Sequence, residues 1–130
     1  MTGSEIAARA RARVGVRFRA QGRSVEHGLD CIGLVADAIG AEAVRADYQL
    51  RGGSADQLAA ELRAAGLERV PAPGVGDVLV MRAGPEQLHL GVVTEAGLVH
   101  ADMRLRRVVE RPGEPPWPVL QIWRFCRERN

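Results

Sequence analysis

Gly28-Leu29-Asp30-Cys31-Ile32-Gly33-Leu34-Val35 is the stretch on which the reading of this chain turns. Upstream of it, a loop containing Gly22 and Gly28 runs up to Asp30. Downstream, apolar residues recur at Leu34, Val35, Ala38 and Ile39, the spacing of a buried helix face. The helix is expected to run from Cys31 to about Ala41, with Gly40 as a stop and Asp30 as its N-cap. Cys31 then occupies the first turn. A helix N-terminus presents free N–H groups and a partial positive charge, and both stabilise a thiolate. The position therefore predicts a depressed thiol pKa and a nucleophile near neutral pH. It also suits a buried, unreactive cysteine packed as a small apolar residue, which is the commoner case. This window alone leaves both readings open.

On the N-terminal side, Thr2 to Val14 reads as a helix, with Ser4 as its cap and Gly15 as its stop. Ile6, Ala10 and Val14 give it one modest apolar face, while Arg9, Arg11 and Arg13 spread around it as a solvated surface. Val16 to Leu29 reads as a loop anchored by Phe18. On the C-terminal side, Arg51-Gly52-Gly53 is a turn signal. Ser54 followed three residues later by Gln57 is a capping-box pattern, and Leu58, Leu62 and Ala65 continue at helical spacing to Gly66.

After the Pro and Gly residues of Pro71 to Gly76 the apolar period changes from 3.6 to 2. Strands are expected over Asp77–Arg82, Leu88–Thr94, Leu98–Asp102, Arg104–Glu110 and Val119–Arg124. Helices first and a meander of strands second argue for an α+β fold, with an antiparallel sheet packed on the helices.

Composition narrows the class. The 130 residues fit one domain, 1–130, and 46% apolar with 26% charged residues is ordinary for a globular chain. Aromatic content is only 4%, so the core is expected to be aliphatic. The net charge of +2 gives no reason to expect a nucleic-acid partner. All 18 basic residues are Arg, which reads as compositional bias rather than chosen contacts. There is no CxxC and no dense Cys/His cluster, so no metal or cofactor is expected. Two cysteines are not a disulfide framework, and Cys126, beside Phe125, reads as packing. The first residues lack the apolar core of a signal peptide, and no stretch approaches a membrane span. The expectation is a protein that is cytoplasmic as synthesised, with no membrane contact.

A lone cysteine with histidines further on is the pattern of a nucleophile and its base. His27, in the loop before Cys31, reads as an exposed loop residue. His89 opens the second strand and His100 lies on the third. They share a face only if the intervening hairpin closes with an even-length loop, for example with Val93 opposite Leu98. An odd loop puts them on opposite faces unless a bulge corrects it. If the condition is met, Cys31 supplies the thiolate, His89 exchanges the proton, His100 orients His89, and the Cys31 N–H is a ready oxyanion donor. Otherwise they are two half-buried strand histidines.

Asp30-Cys31-x-Gly33-Leu34-Val35, Gly76-Asp77-Val78-Leu79, His89-Leu90-Gly91-Val92-Val93 and Val99-His100-Ala101 together resemble the successive motifs of the NlpC family of cell-wall peptidases. These are papain-like cysteine hydrolases. Gly15-Val16-Arg17-Phe18-Arg19 resembles the segment that precedes the nucleophile there, and the likeness covers most of residues 4–103. It implies an α+β fold with the nucleophile helix packed on an antiparallel sheet. It implies Cys31 as nucleophile, His89 as base and His100 as orienting residue. The substrate it implies is the peptide stem of peptidoglycan. A small form of this kind is similar to those carried with phage tails and gene transfer agents, which would place it on a particle delivered to the periplasm.

Two residues depart from the pattern. The family usually has Tyr where Phe18 stands, and Phe18 has no hydroxyl with which to position substrate or stabilise an oxyanion. Ser is common where Ile32 stands. There, with the residue matching Asp30, it binds the free amine of the stem peptide in some members, which leaves Asp30 open to a structural reading here. The first reading is thus a peptidoglycan cysteine peptidase. The rivals are a non-catalytic structural or binding component of a tail-like particle and a thiol hydrolase of another amide or ester. Arg17 and Arg19 are the nearest residues expected to line the cleft and meet carboxylates.

Overall fold

The computed structural model describes residues 1–41 and 54–126, so the turn expected at Arg51-Gly52-Gly53 lies outside the described residues. The first helix, α1 (Gly3–Arg11), is shorter than its sequence pattern and is capped by Thr2 rather than Ser4. Thr2 Oγ1 accepts from Glu5 N–H at 3.1 Å while Glu5 Oε1 accepts from Thr2 N–H at 2.7 Å, a reciprocal capping box two residues before the expected cap. Gly15 does not stop the helix. Its N–H donates to Val108 O, and Val108 N–H returns a bond to Val16 O, so this segment is stitched to a strand far along the chain.

Ile6, Ala7 and Ala10 bury against α2 (Cys31–Ile39), in which only Asp37 is not buried. Arg9 of α1 and Arg13 just beyond its end are more than a solvated surface. Arg9 donates to the carbonyls of Ala38 and Asp37 at 3.0 Å, and Arg13 pairs with the Asp37 carboxylate at 2.7 Å. Both guanidinium groups thus lie at the C-terminal end of α2, where cations complement the helix dipole. Gly40 ends α2 in the left-handed conformation, as expected. The loop before α2 holds a two-residue ribbon, β1 (Arg23–Ser24) and β2 (Gly28–Leu29), too short to leave a pattern in the sequence. In α3 (Ala55–Ala64), Ser54 caps as its spacing predicts.

A six-stranded antiparallel sheet follows the helices, in the order β3-β8-β4-β5-β6-β7. Its members are β3 (Leu67–Arg69), β4 (Val78–Gly84), β5 (Gln87–Val93), β6 (Gly97–Asp102), β7 (Arg107–Pro112) and β8 (Val119–Phe125). The α+β class holds. The three-residue β3 escaped the sequence reading because it is too short to show a period. β7 begins at Arg107 and not Arg104, because Asp102 Oδ1 accepts from the N–H groups of Arg104 and Leu105 and folds that segment into a turn. Val78 and Val80 face the helices, while Leu79 and Met81 face the other side with Leu98.

Gly76 and Asp77 hold one end of the sheet. A side chain on Gly76 would sit 2.2 Å from Gly3 O, so the start of α1 and the entry to β4 lie backbone on backbone. Asp77, buried at 2% exposure, accepts from Gly74 N–H and forms a two-pronged pair with Arg124 of β8 at 2.9 and 3.0 Å. Cys126 is exposed at the end of the described chain, with its thiol 2.8 Å from Glu68 Oε2, and is not core packing.

Candidate active site

The β5–β6 hairpin decides where the histidines go. Val92 pairs with Val99 and Val93 with Leu98, the even-length closure that puts His89 and His100 on one face. The β5–β6 ladder stops at Val92, whereas β6 remains paired with β7 as far as Asp102. A gap therefore opens between β5 and β6, and α2 packs against both strands. A cleft of about 810 Å³ forms at this junction, lined among others by Phe18, Asp30, Cys31, His89, His100 and Trp117. The first five of these were singled out in the sequence.

His89 Nε2 lies 2.9 Å from His100 Nδ1, with the rings edge to face. Trp117, from the Pro-rich link before β8, stands edge-on to both rings at centroid distances of 5.1 and 5.3 Å. His100 Nε2 in turn faces Asp102 Oδ2 at 4.0 Å. Sequence reasoning missed Trp117 and Asp102. The only signal for Asp102 was its place two residues after His100, on the same face of a strand.

Asp30 is fully engaged. Its carboxylate accepts from Gly33 N–H at 2.8 Å, from Gln21 N–H at 3.0 Å and from Arg23 Nη1 at 2.7 Å. It caps α2 and ties the preceding loop to it. Gly33 is needed for the same approach, because a side chain there would meet Gly22 O at 2.1 Å. Phe18 is held in that loop by its N–H to Arg106 O and brings a ring, without a hydroxyl, to the cleft. Arg17 and Arg19 do not line this cleft. With His27 and Arg106 they line a smaller adjoining pocket of about 390 Å³, while Arg104 reaches the main one.

Electrostatics correct one expectation. The Cys31 thiol is not acidified: burial, then the neighbouring Asp30 carboxylate, push its pKa up to about 12. Backbone hydrogen bonds from Leu90 and Cys31, and the charge of Arg23, act the other way without winning. The helix terminus lost because the N-cap that marks it is itself an anion, and because Cys31 is only 2% exposed. Burial, followed by repulsion from His100, lowers the His89 pKa to about 4, and burial also lowers that of His100. At neutral pH the site holds a thiol and two uncharged imidazoles. Such a set can act by transferring a proton during attack; it does not hold a preformed thiolate–imidazolium pair.

No protein-family model matches the chain, and no curated protein sequence does. Solved structures do. NlpC1 from Trichomonas vaginalis superposes with a TM-score of 0.64 at 18% identity, covering 94% of this chain. The chain spans 44% of the length of that protein. The NlpC/p60 domain of the peptidoglycan hydrolase SagA superposes with a TM-score of 0.57 at 22% identity, covering 86% of this chain and 90% of that one. The fold is thus the papain-like α+β arrangement of NlpC/p60 domains.

Proposed function

We propose that this NlpC/p60-like fold serves as a cysteine hydrolase of amide bonds in the peptide stems of peptidoglycan. The observation that carries the reading is the 2.9 Å His89–His100 contact in the cleft that Cys31 also lines. In this scheme Cys31 Sγ attacks the scissile carbonyl carbon as its proton passes to His89. His89 Nε2 is committed to His100, so the receiving atom is Nδ1. The Cys31 N–H donates to the developing oxyanion. As the C–N bond breaks, His89 returns the proton to the leaving amine, and a thioester remains. Water, deprotonated by His89, then hydrolyses the thioester and restores the thiol. Trp117 keeps bulk water from the paired imidazoles, which strengthens the contact between them.

The wall substrate is taken from the fold kinship with SagA and from the motif resemblance. A setting on a phage tail or gene transfer agent, with delivery to the periplasm, rests on the resemblance alone. The test is digestion of purified sacculi by the wild-type protein and by Cys31→Ala, with released fragments read by mass spectrometry. Peptide fragments from the wild type alone are expected. Release by neither would remove the wall substrate.

A second reading, a binding component that keeps the fold without the activity, is favoured by Phe18 and by the strongly raised thiol pKa. It predicts that intact stem peptides bind without turnover, measurable by calorimetry. Turnover of any amide or ester by the wild type, lost in Cys31→Ala, excludes it.

A further inference from the structure

The contact between His89 Nε2 and His100 Nδ1 contains one proton, and the distance alone does not say which ring carries it. The answer matters, because a neutral imidazole that holds a proton on one nitrogen offers a lone pair only on the other. The next group along the chain of contacts resolves it. Asp102 Oδ1 is occupied by the N–H groups of Arg104 and Leu105 at 2.8 and 2.9 Å, which fixes the carboxylate plane. Its other oxygen, Oδ2, is left facing His100 Nε2 at 4.0 Å. His100 is 2% exposed and the Asp102 side chain 22%, so the carboxylate acts on that nitrogen from the edge of the cleft.

We propose that Asp102 is a positioning residue that sets the tautomers of both histidines. A carboxylate accepts hydrogen bonds and donates none, so it favours the proton of His100 on Nε2. His100 Nδ1 is then a lone pair, and it requires a proton from its partner, so His89 carries its own on Nε2. That leaves His89 Nδ1 unprotonated, the one atom of the pair free to take a proton from the thiol. Information passes from a turn beyond β6 to the base through two rings. The charged groups around the pair are consistent with this. Asp102 is the carboxylate that acts on both rings, Arg111 of β7 opposes protonation of His100, and Asp30 and Arg23 act on Cys31. Arg111 thereby helps keep His100 a neutral relay.

The substitution Asp102→Asn makes a sharp prediction. Asn Oδ1 can retain the two turn hydrogen bonds, which leaves the side-chain NH2 to face His100. That group donates, so His100 must present a lone pair at Nε2 and move its proton to Nδ1. His89 must then accept at Nε2 and carry its proton on Nδ1, where it blocks transfer from Cys31. The same logic of a buried carboxylate and its amide operates at a serine-protease triad.

The experiment is long-range ¹H–¹⁵N correlation on the full chain labelled at histidine, at pH 7.5, where both rings are neutral. In the wild type His89 and His100 are both expected as Nε2–H tautomers. In Asp102→Asn both are expected to invert, and in Asp102→Ala to become mixtures. A wild-type His100 protonated on Nδ1, or no change in Asp102→Asn with the backbone spectrum intact, overturns the proposal. This readout needs no substrate, so it stands or falls apart from the hydrolase reading, on which only the effect on rate depends. If sacculi are digested, Asp102→Asn is expected to lower kcat by about 100-fold or more with KM little changed. Asp102→Ser, which can cap the turn but carries neither charge nor amide, separates the turn from the tautomer. Wild-type tautomers in that variant would assign Asp102 to the turn alone.

Discussion

The two walls of the cleft use buried polar groups in opposite ways. On the helix wall, every hydrogen bond of Asp30 closes on its own surroundings: the cap of α2, the Gln21 backbone and Arg23. On the strand wall, His89, His100 and Asp102 form a chain of contacts whose one end, His89 Nδ1, makes no hydrogen bond among the described residues. A closed set supplies stability and fixed geometry. An open one retains a proton-transfer capacity that stability alone would not call for. The same contrast separates Asp77 with Arg124, a closed pair at the far end of the sheet, from the histidines.

The largest expected effect breaks the open wall and leaves the fold alone. His89→Ala should lower the turnover of any substrate found by about 1,000-fold or more, with unfolding by urea changed by no more than about 2 kcal/mol, the cost of leaving His100 Nδ1 unpaired. The rate constant and the urea midpoint measured on one preparation check it. A large loss of stability would move His89 to the closed class.

The converse is Asp30→Ala. Removing one partner of a buried pair that is also a helix cap should cost about 3 kcal/mol in stability. Activity should survive only to the extent that the loop carrying Phe18 stays docked. Equilibrium unfolding with and without the substitution measures the first.

Acid should separate the walls next. His89 has a folded pKa of about 4, below its ordinary value of 6.5, so the unfolded chain binds more protons between those values. Stability from this residue is therefore present above pH 6.5 and is lost as the pH falls to about 4. After discounting for its partial exposure, the loss is roughly 2 kcal/mol. Melting temperatures from pH 7 to 4 should show the fall, and His89→Asn should flatten it. Cys31 works in the other direction. Its pKa of about 12 lies above the ordinary 9.0, so its contribution is complete below pH 9 and fades as the pH rises toward 12. In a Cys126→Ser background, alkylation of Cys31 should be slow at pH 6 and rise about tenfold per unit to pH 9 without a plateau.

The smallest effect is expected from Phe18→Tyr, which adds a hydroxyl at the cleft edge. A gain of about tenfold or less in kcat, with stability nearly unchanged, would show that the oxyanion lacks a donor there; no gain would show that the Cys31 N–H suffices.

The sequence by itself determined the elements and their chemistry. The capped start of α2 at Cys31, the change of period after Gly76 and the alternation around His89 and His100 are local signals, carried by neighbours along the chain. It even stated the condition on which the site depends, an even hairpin loop, without being able to choose. Tertiary structure chose it, through the register that pairs Val93 with Leu98. It also brought Trp117 and Asp102 to the histidines, stitched Val16 and Phe18 to the strand side, and buried Cys31 deeply enough to overturn the expected acidity. The reason is physical. Caps and periods depend on residues within a turn or two, whereas a pKa, a tautomer and a ring contact depend on desolvation and charges contributed by segments distant in the chain, which no local pattern records.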